Sequence, residues 1–213
     1  MKKTLLLIVA ALTATAAMAQ ERRLEATMFK EFKPAVITFS DGRKINQPLA
    51  NVFLKNGALL FPKGDYTMEA NMGNIAAVDF GDRHFVTIDQ QLAYRVDSVE
   101  GGNALYCIEL FDQETYNRNL RNNINISNLD LGDQISTTTI DINTEEDYKL
   151  PVFRHFYMQL DGQMVKVHER ELNRKLNKEQ RAMMKRIMAL PDFSWQREET
   201  LMQLLKAISK SAK

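Results

Sequence analysis

The sequence predicts an α+β fold that is mainly antiparallel β, followed by a C-terminal α-helical hairpin. Between residues 35 and 111, short runs alternate apolar and polar side chains, as in strands with one buried face. Asp-Gly, Asn-Gly and Gly-Gly pairs separate the runs and favour tight turns. After residue 168 the apolar period becomes that of a helix. We therefore predict a meander of hairpins that forms a sandwich, a roll or a partly open barrel.

Residues 1–19 have the layout of a secretory signal peptide. Lys2 lies in a positively charged start, an apolar run follows, and residues 17–19 read Ala-Met-Ala, the small-residue pattern of a cleavage site. The apolar run, residues 5–17, is shorter than the roughly 20 residues that a membrane-spanning helix needs. We expect an exported protein whose mature chain begins at Gln20, has no transmembrane segment, and resides in the periplasm, the outer envelope or the extracellular space.

Charge and cysteine content narrow the class of partner. Of the 28 basic residues, two lie in the predicted signal peptide, which leaves 26 against 27 acidic residues. This near-neutral balance gives no reason to expect a nucleic-acid partner.

Cys107 is the single cysteine, so the chain cannot form an intramolecular disulfide. We interpret it as a small buried hydrophobic residue rather than a nucleophile, because unpaired cysteine is among the most buried residue types.

The β-rich region is expected to form one domain over residues 20–167. Met28, Phe29 and Phe32 recur at helical spacing and allow a short helix over residues 25–32. Strands are predicted at residues 35–40, 43–45, 50–54, 58–61, 66–70, 75–80, 83–88, 92–99 and 104–111.

Two details of these strands follow from local chemistry. Asn56-Gly57 between two apolar runs is the strongest hairpin signal, since both residue types tolerate positive φ. In the strand at 66–70, the alternation places Tyr66, Met68 and Ala70 inward.

Residues 112–149 change in character, with many asparagines and few large apolar residues. They predict a helical turn near residues 115–120, a long loop, and one strand near residues 138–142. Long loops in compact domains are often functional, so this segment is either a recognition surface or a solvated insertion.

Residues 152–160 predict a strand with two different faces, and residues 163–167 predict its hairpin partner. Phe156 and Met158 lie on the apolar face, whereas Phe153, His155 and Tyr157 lie on the other. An aromatic, half-polar face is suited to stacking on a sugar or a peptide, or to packing against another layer. We therefore name Phe153, His155 and Tyr157 as candidate binding residues.

Residues 168–213 predict a helical hairpin packed on the β-rich domain. Asn177 and Gln180 have the spacing of an N-cap and its helper, Pro191 ends the first helix, and Ser194 is expected to cap the second. This segment carries 11 basic and 6 acidic residues. Its amphipathic helices either pack against their own acidic β-domain or make a peripheral contact with an anionic membrane.

Enzymatic signatures are scarce. The three histidines have no zinc-site spacing, and no nucleophile elbow or nucleotide-binding loop occurs, so we assign no metal and no cofactor. Two catalytic pairings remain to be examined, His84 with Asp82, and His155 or His168 with Asp161. A carboxylate pair is also compatible with glycoside hydrolysis.

These observations favour an exported bacterial envelope protein that is not an enzyme and binds another envelope protein or a glycan. One alternative is a hydrolase that acts on cell-wall or surface polysaccharide through a carboxylate pair. Another is a protein that associates with anionic membrane surfaces through its basic C-terminal helices. The sequence carries no signal for an oligomeric state.

Overall fold

The computed structural model describes residues 26–123 and 150–210. The predicted signal peptide, residues 1–19, and the strand predicted near residues 138–142 lie outside the described residues. Ten antiparallel strands of the described chain form one open sheet, and helices follow at the C-terminal end. The predicted fold class, a mainly antiparallel meander with a C-terminal helical hairpin, is confirmed.

The elements follow the predicted order along the chain. The strands are β1 (Lys33–Phe39), β2 (Lys44–Phe53), β3 (Ala58–Lys63), β4 (Tyr66–Glu69), β5 (Ile75–Asp79), β6 (His84–Ile88), β7 (Gln91–Ser98), β8 (Ala104–Phe111), β9 (Val152–Leu160) and β10 (Gln163–Lys166). The helices are α1 (Gln113–Asn123), α2 (Glu169–Lys175), α3 (Lys178–Met188) and α4 (Glu198–Lys210). The helical turn predicted near residues 115–120 is part of α1.

Consecutive strands are neighbours in the sheet with one exception. The order is β10-β9-β8-β7-β6-β5-β1-β2-β3-β4, so β5 pairs with β1 after the chain has run out to the β4 edge. The β2–β3 turn reaches β7, where the carbonyl of Gly57 accepts the N–H of Leu92 at 2.8 Å. Gly57 has a φ of +74°, and a Cβ there would lie 2.9 Å from the Cβ of Gln91. The sheet therefore curls over itself without closing.

The inner face of the sheet is the side that packs against the C-terminal helices. Leu105 of β8 and Met158 of β9 are fully buried on this face. The same continuous apolar cluster contains buried side chains of α2, α3 and α4, namely Leu172, Met184, Leu201, Leu204, Leu205 and Ile208. Burying one such side chain contributes about 1.5–3 kcal/mol, so the sheet and the helices stabilise each other through one shared core.

The helix ends agree with the sequence at one position and differ at another. At the start of α3, Asn177 and Gln180 form the predicted reciprocal capping box. The prediction that Ser194 caps the next helix is wrong, because α4 begins later, at Glu198, and the N–H of Leu201 bonds to the carbonyl of Arg197. Ser194 instead accepts the hydroxyl proton of Thr200 at its carbonyl, at 2.6 Å, which fixes the turn before the helix.

The short helix predicted over residues 25–32 is wrong for the described part, residues 26–32. Thr27 forms a β-bridge with Phe53, and the N–H of Met28 bonds to the carbonyl of Val52 at 2.9 Å. Pairing with the end of β2 satisfies backbone N–H and C=O groups that would otherwise form the hydrogen bonds of a helix. Tertiary contacts therefore outweigh the local helical spacing.

Two predictions about the strands on the β4 side of the sheet are also wrong. The runs 43–45 and 50–54 belong to one strand, β2, because Pro48 lies where the register with β1 shifts and no regular ladder bond is needed. Tyr66 and Met68 are not inside, since β4 is the edge strand and extends beyond the helices; Tyr66 is 77% exposed.

Cys107 lies at the centre of the shared core. It is fully buried on β8, opposite Phe156 of β9. Burial raises the pKa of its thiol to about 12, so the nucleophilic thiolate is disfavoured at neutral pH. The structure thus places Cys107 as a packing residue.

Candidate functional site

The sequence-predicted binding residues lie on the outer face of the sheet, the side opposite the helices. Phe153, His155 and Tyr157 project from β9 at every second position. Their direct neighbours across the antiparallel ladder with β8 are Leu110, Ile108 and Tyr106, in that order. These six side chains form a two-strand surface, which we call the β8–β9 outer face.

Burial varies strongly along this surface. Ile108 and Tyr106 are buried and belong to a second, smaller apolar cluster with residues of β6 and β7. Tyr157 and Leu110 are half-buried against that cluster, whereas Phe153 is 51% exposed. The surface therefore has a packed apolar base from which one aromatic ring extends into solvent.

Polar groups accompany these rings. Burial, and then the positive charge of Lys166, lowers the pKa of His155, so its imidazole is mainly neutral at pH 7. Burial, and then the charge of Asp89, raises the pKa of Tyr157 and keeps its phenol protonated. The hydroxyl of Tyr106 donates to Oε1 of Gln159 at 3.2 Å. Neutral donors and acceptors thus lie beside the apolar rings.

The predicted pairing of His84 with Asp82 is not formed, because each of the two side chains has another partner. His84 lies directly opposite Asp79 in the β5–β6 ladder, with Nδ1 3.6 Å from Oδ2. Asp82 forms an ion pair with Lys33 at 2.7 Å, and this hydrogen bond lowers the pKa of the Asp82 carboxyl. The same Lys33 ammonium lies 3.7 Å from the centre of the Phe29 ring. His84 therefore lies beside Asp79, while Asp82 forms a surface ion pair with Lys33.

The pairing of His155 or His168 with Asp161 is not formed either. Asp161 lies in the β9–β10 turn, where its N–H donates to Oδ1 of Asn103 at 2.9 Å. His155 is separated from that turn by the rest of β9, roughly 17 Å of extended chain. His168 caps α2, accepting the N–H of Arg170 at Nδ1. His155, His168 and Asp161 therefore lie in different parts of the fold.

One polar cluster on the inner face was missed by sequence reasoning. The hydroxyl of Tyr94 lies 3.2 Å from Oε1 of Glu109 and 3.3 Å from Oε1 of Glu198. The Nε of Arg154 lies 3.0 Å from the same Glu109 oxygen. Burial, and then the neighbouring Cys107 thiol and Glu109 carboxylate, raises the pKa of Tyr94, so its hydroxyl keeps its proton. Glu109 was recognisable as one of many carboxylates, but no sequence signal pairs it with Glu198 at the start of α4.

The Tyr94 cluster adjoins an open depression of about 520 Å³, lined by Arg154, Gln196, Arg197, Glu198 and Glu199. Because the Glu109 and Glu198 oxygens both lie close to the Tyr94 hydroxyl, their separation cannot exceed the sum of those two distances. The upper limit on that separation coincides with the lower end of the roughly 6.5–9.5 Å of inverting glycosidases, and the roughly 5–5.5 Å of retaining glycosidases lies within it. The Tyr94 hydroxyl, however, already lies within hydrogen-bond distance of both carboxylates.

The described residues contain no group of three or more His, Cys, Asp or Glu side chains able to hold a metal ion. Over the same residues, every helix is too short or too polar to cross a lipid bilayer. The β8–β9 outer face and the Tyr94 cluster are therefore the two candidate functional sites. No family model matches this chain, and no curated protein or solved structure is similar enough to it to count as a match.

Proposed function

We propose that this chain is an exported, non-enzymatic envelope protein that binds a glycan through the β8–β9 outer face. The observation that carries the proposal is the exposed ring of Phe153, in one row with His155 and Tyr157 on the side of the sheet opposite the helices. The export part of the proposal depends on the signal-peptide pattern of residues 1–19.

The chemistry of the row fits a sugar. Alternate residues of a strand lie roughly 6.6 Å apart on one face, so the three rings form a short linear track. A pyranose ring has an apolar C–H face that stacks on an aromatic ring and a rim of hydroxyls that both donate and accept hydrogen bonds. The neutral imidazole of His155 and the phenol of Tyr157 supply the matching groups.

A glycan explains the surface better than a protein partner does. A stable protein interface buries at least about 1,000 Å² and has an apolar, well-packed centre. On the β8–β9 outer face, Phe153 is the large apolar residue that is more than half exposed, while Leu110 and Tyr157 are half-buried and His155 is polar. One projecting ring among polar groups is suited to a narrow ligand. Another envelope protein is the competing partner.

The spacing of the two carboxylates in the Tyr94 cluster is compatible with the hydrolase alternative. The hydrogen bonds that these carboxylates already form argue against it. A glycosidase binds the scissile oxygen between its two carboxyl groups. In this chain the Tyr94 hydroxyl instead lies within hydrogen-bond distance of both Glu109 and Glu198. Arg154 further holds Glu109 in an ion pair. We therefore assign the cluster to fixing α4 on the sheet, and expect binding without cleavage.

Binding of residues 20–213 to peptidoglycan, chitin and soluble surface polysaccharides tests this function by pull-down and affinity electrophoresis. We expect retention on at least one glycan, and Phe153→Ala to weaken it by about three- to tenfold, the value of one aromatic contact. Tyr66→Ala is the matched control, because Tyr66 is an even more exposed ring at the far edge of the sheet.

Three outcomes would contradict the proposal. Binding that survives Phe153→Ala unchanged would place the site elsewhere. Failure to bind any glycan, together with a stable complex with a purified envelope protein that Phe153→Ala disrupts, would assign the face to a protein partner. Shortening of the polysaccharide, abolished by Glu198→Gln, would replace binding by hydrolysis.

A further inference from the structure

Helix α3 carries a row of cations on one side. Lys178, Arg181 and Lys185 recur at i, i+3 and i+7, which places them on one helix face. All three are exposed, and none of them forms an ion pair with another described residue. Glu179 is the single acidic residue of the helix. The adjoining side of the helix, which contains the fully buried Met184, packs into the shared core.

Helix α4 extends this positive surface. The side chain of Gln180 donates to the carbonyl of Ile208 at 3.2 Å, which brings the end of α4 beside the start of α3. Lys206 and Lys210 lie in that part of α4 and are exposed. Together the two helices carry five exposed cations, which we call the α3–α4 basic face: Lys178, Arg181, Lys185, Lys206 and Lys210.

An exposed apolar residue ends the same helix. Leu190 lies two residues after the end of α3, is 43% exposed, and precedes the exposed Pro191. A solvated cationic face alone needs no leucine at its end. A lipid surface offers both required features, anionic headgroups for the cations and an apolar layer for Leu190. A nucleic-acid backbone would satisfy the cations and leave Leu190 in water.

We propose that the α3–α4 basic face docks this protein on an anionic phospholipid surface, with α3 in the plane of the headgroups and Leu190 inserted beneath them. The proposal is independent of glycan binding, because it uses the helical layer on the other side of the sheet. Since the two surfaces lie on opposite sides, both are free to act in the same molecule. A protein built this way would hold a glycan against a membrane.

Vesicle flotation of residues 20–213 tests the docking. We expect binding to vesicles of phosphatidylglycerol mixed with phosphatidylcholine, loss of binding at high salt, and no binding to pure phosphatidylcholine. Reversing three cations, Lys178→Glu with Arg181→Glu and Lys185→Glu, should weaken binding by about a hundredfold or more, given the usual contribution of each cation near a charged bilayer.

The matched control reverses three lysines that lie outside α3 and α4, Lys44→Glu with Lys55→Glu and Lys63→Glu. These side chains are exposed on β2, the β2–β3 turn and β3, and the net charge changes by the same amount. We expect this variant to retain most of the binding. Leu190→Ser should weaken binding at low and high salt alike, because it removes an apolar contact and no charge.

Several results would overturn the proposal. Equal loss of binding in both triple variants would show a response to net charge alone. Equal binding to both vesicle types, or no binding to phosphatidylglycerol vesicles while duplex DNA or heparin is bound, would remove the lipid surface as the partner. Unchanged binding by Leu190→Ser would remove the insertion step. Circular dichroism of each variant checks that these surface changes leave the fold intact.

Discussion

Phe85→Ala should lower the free energy of unfolding by about 3–5 kcal/mol, the usual cost of truncating a buried phenylalanine. Phe85 is fully buried on β6. Its ring contacts three other aromatic rings, with centroid distances of 5.5 Å to Phe80, 6.2 Å to Tyr94 and 6.4 Å to Phe29. Alanine would leave a cavity where these rings meet, and the curled sheet cannot collapse into it from all sides. Urea unfolding of the purified protein measures the change.

The control for this prediction is the same substitution on the outer face. Phe153→Ala removes a ring that is 51% exposed, so we expect it to change stability by about 0.5 kcal/mol or less. The contrast also separates stability from recognition, because Phe153→Ala is the variant that should lose glycan binding. Equal costs for the two substitutions would mean that Phe85 is not in the core.

Asn51→Ala should destabilise the protein by about 1–3 kcal/mol, because it leaves buried backbone groups without hydrogen-bond partners. Asn51 is fully buried on β2. Its Oδ1 accepts the N–H of Phe29 at 3.0 Å, and its Nδ2 donates to the carbonyl of Phe29 at 2.8 Å. These two bonds fix the segment before β1 against β2. Urea unfolding and amide exchange at Phe29 measure the loss.

Asn46→Ala is the matched control for Asn51→Ala. Asn46 lies on the same strand, is exposed, and its side chain forms no hydrogen bond with another described residue. We expect a change of about 0.5 kcal/mol or less for this variant, with unaltered exchange at Phe29. If Asn46→Ala and Asn51→Ala destabilised equally, the cost would reflect asparagine in a strand and not the bonds to Phe29.

The sequence predicts the hairpins well because their signals are local. Asn56-Gly57 and Asp161-Gly162 each specify a turn within two residues, and the flanking alternation then specifies two antiparallel neighbours. The pairing of β1 with β5 has no such signal, since the chain makes three other strands between them. The helix predicted over residues 25–32 fails for the same reason. Its apolar spacing is local, but its backbone partner, Val52, lies on a distant strand.

The same difference between local signals and long-range packing applies to the candidate sites. The alternation of Phe153, His155 and Tyr157 is a property of one strand, and the structure places all three on one face. The meeting of Glu109 with Glu198 depends on how α4 packs against β8, which no short pattern encodes. His84 lies beside Asp79 and not Asp82, because cross-strand register decides the neighbour and sequence proximity does not. Long-range packing is therefore the part that sequence reasoning misses.

The sheet and the C-terminal helices share one core, and the single tryptophan offers a direct measurement of it. Trp195 lies between α3 and α4, packs against the shared core, and contacts Phe193 at a ring distance of 4.9 Å. Its fluorescence reports the helical layer, whereas the protection of β8 amides from hydrogen exchange reports the sheet. We predict coincident urea transitions for the two signals, as in two-state unfolding. A fluorescence transition that is complete while the sheet signal remains native would contradict the shared core.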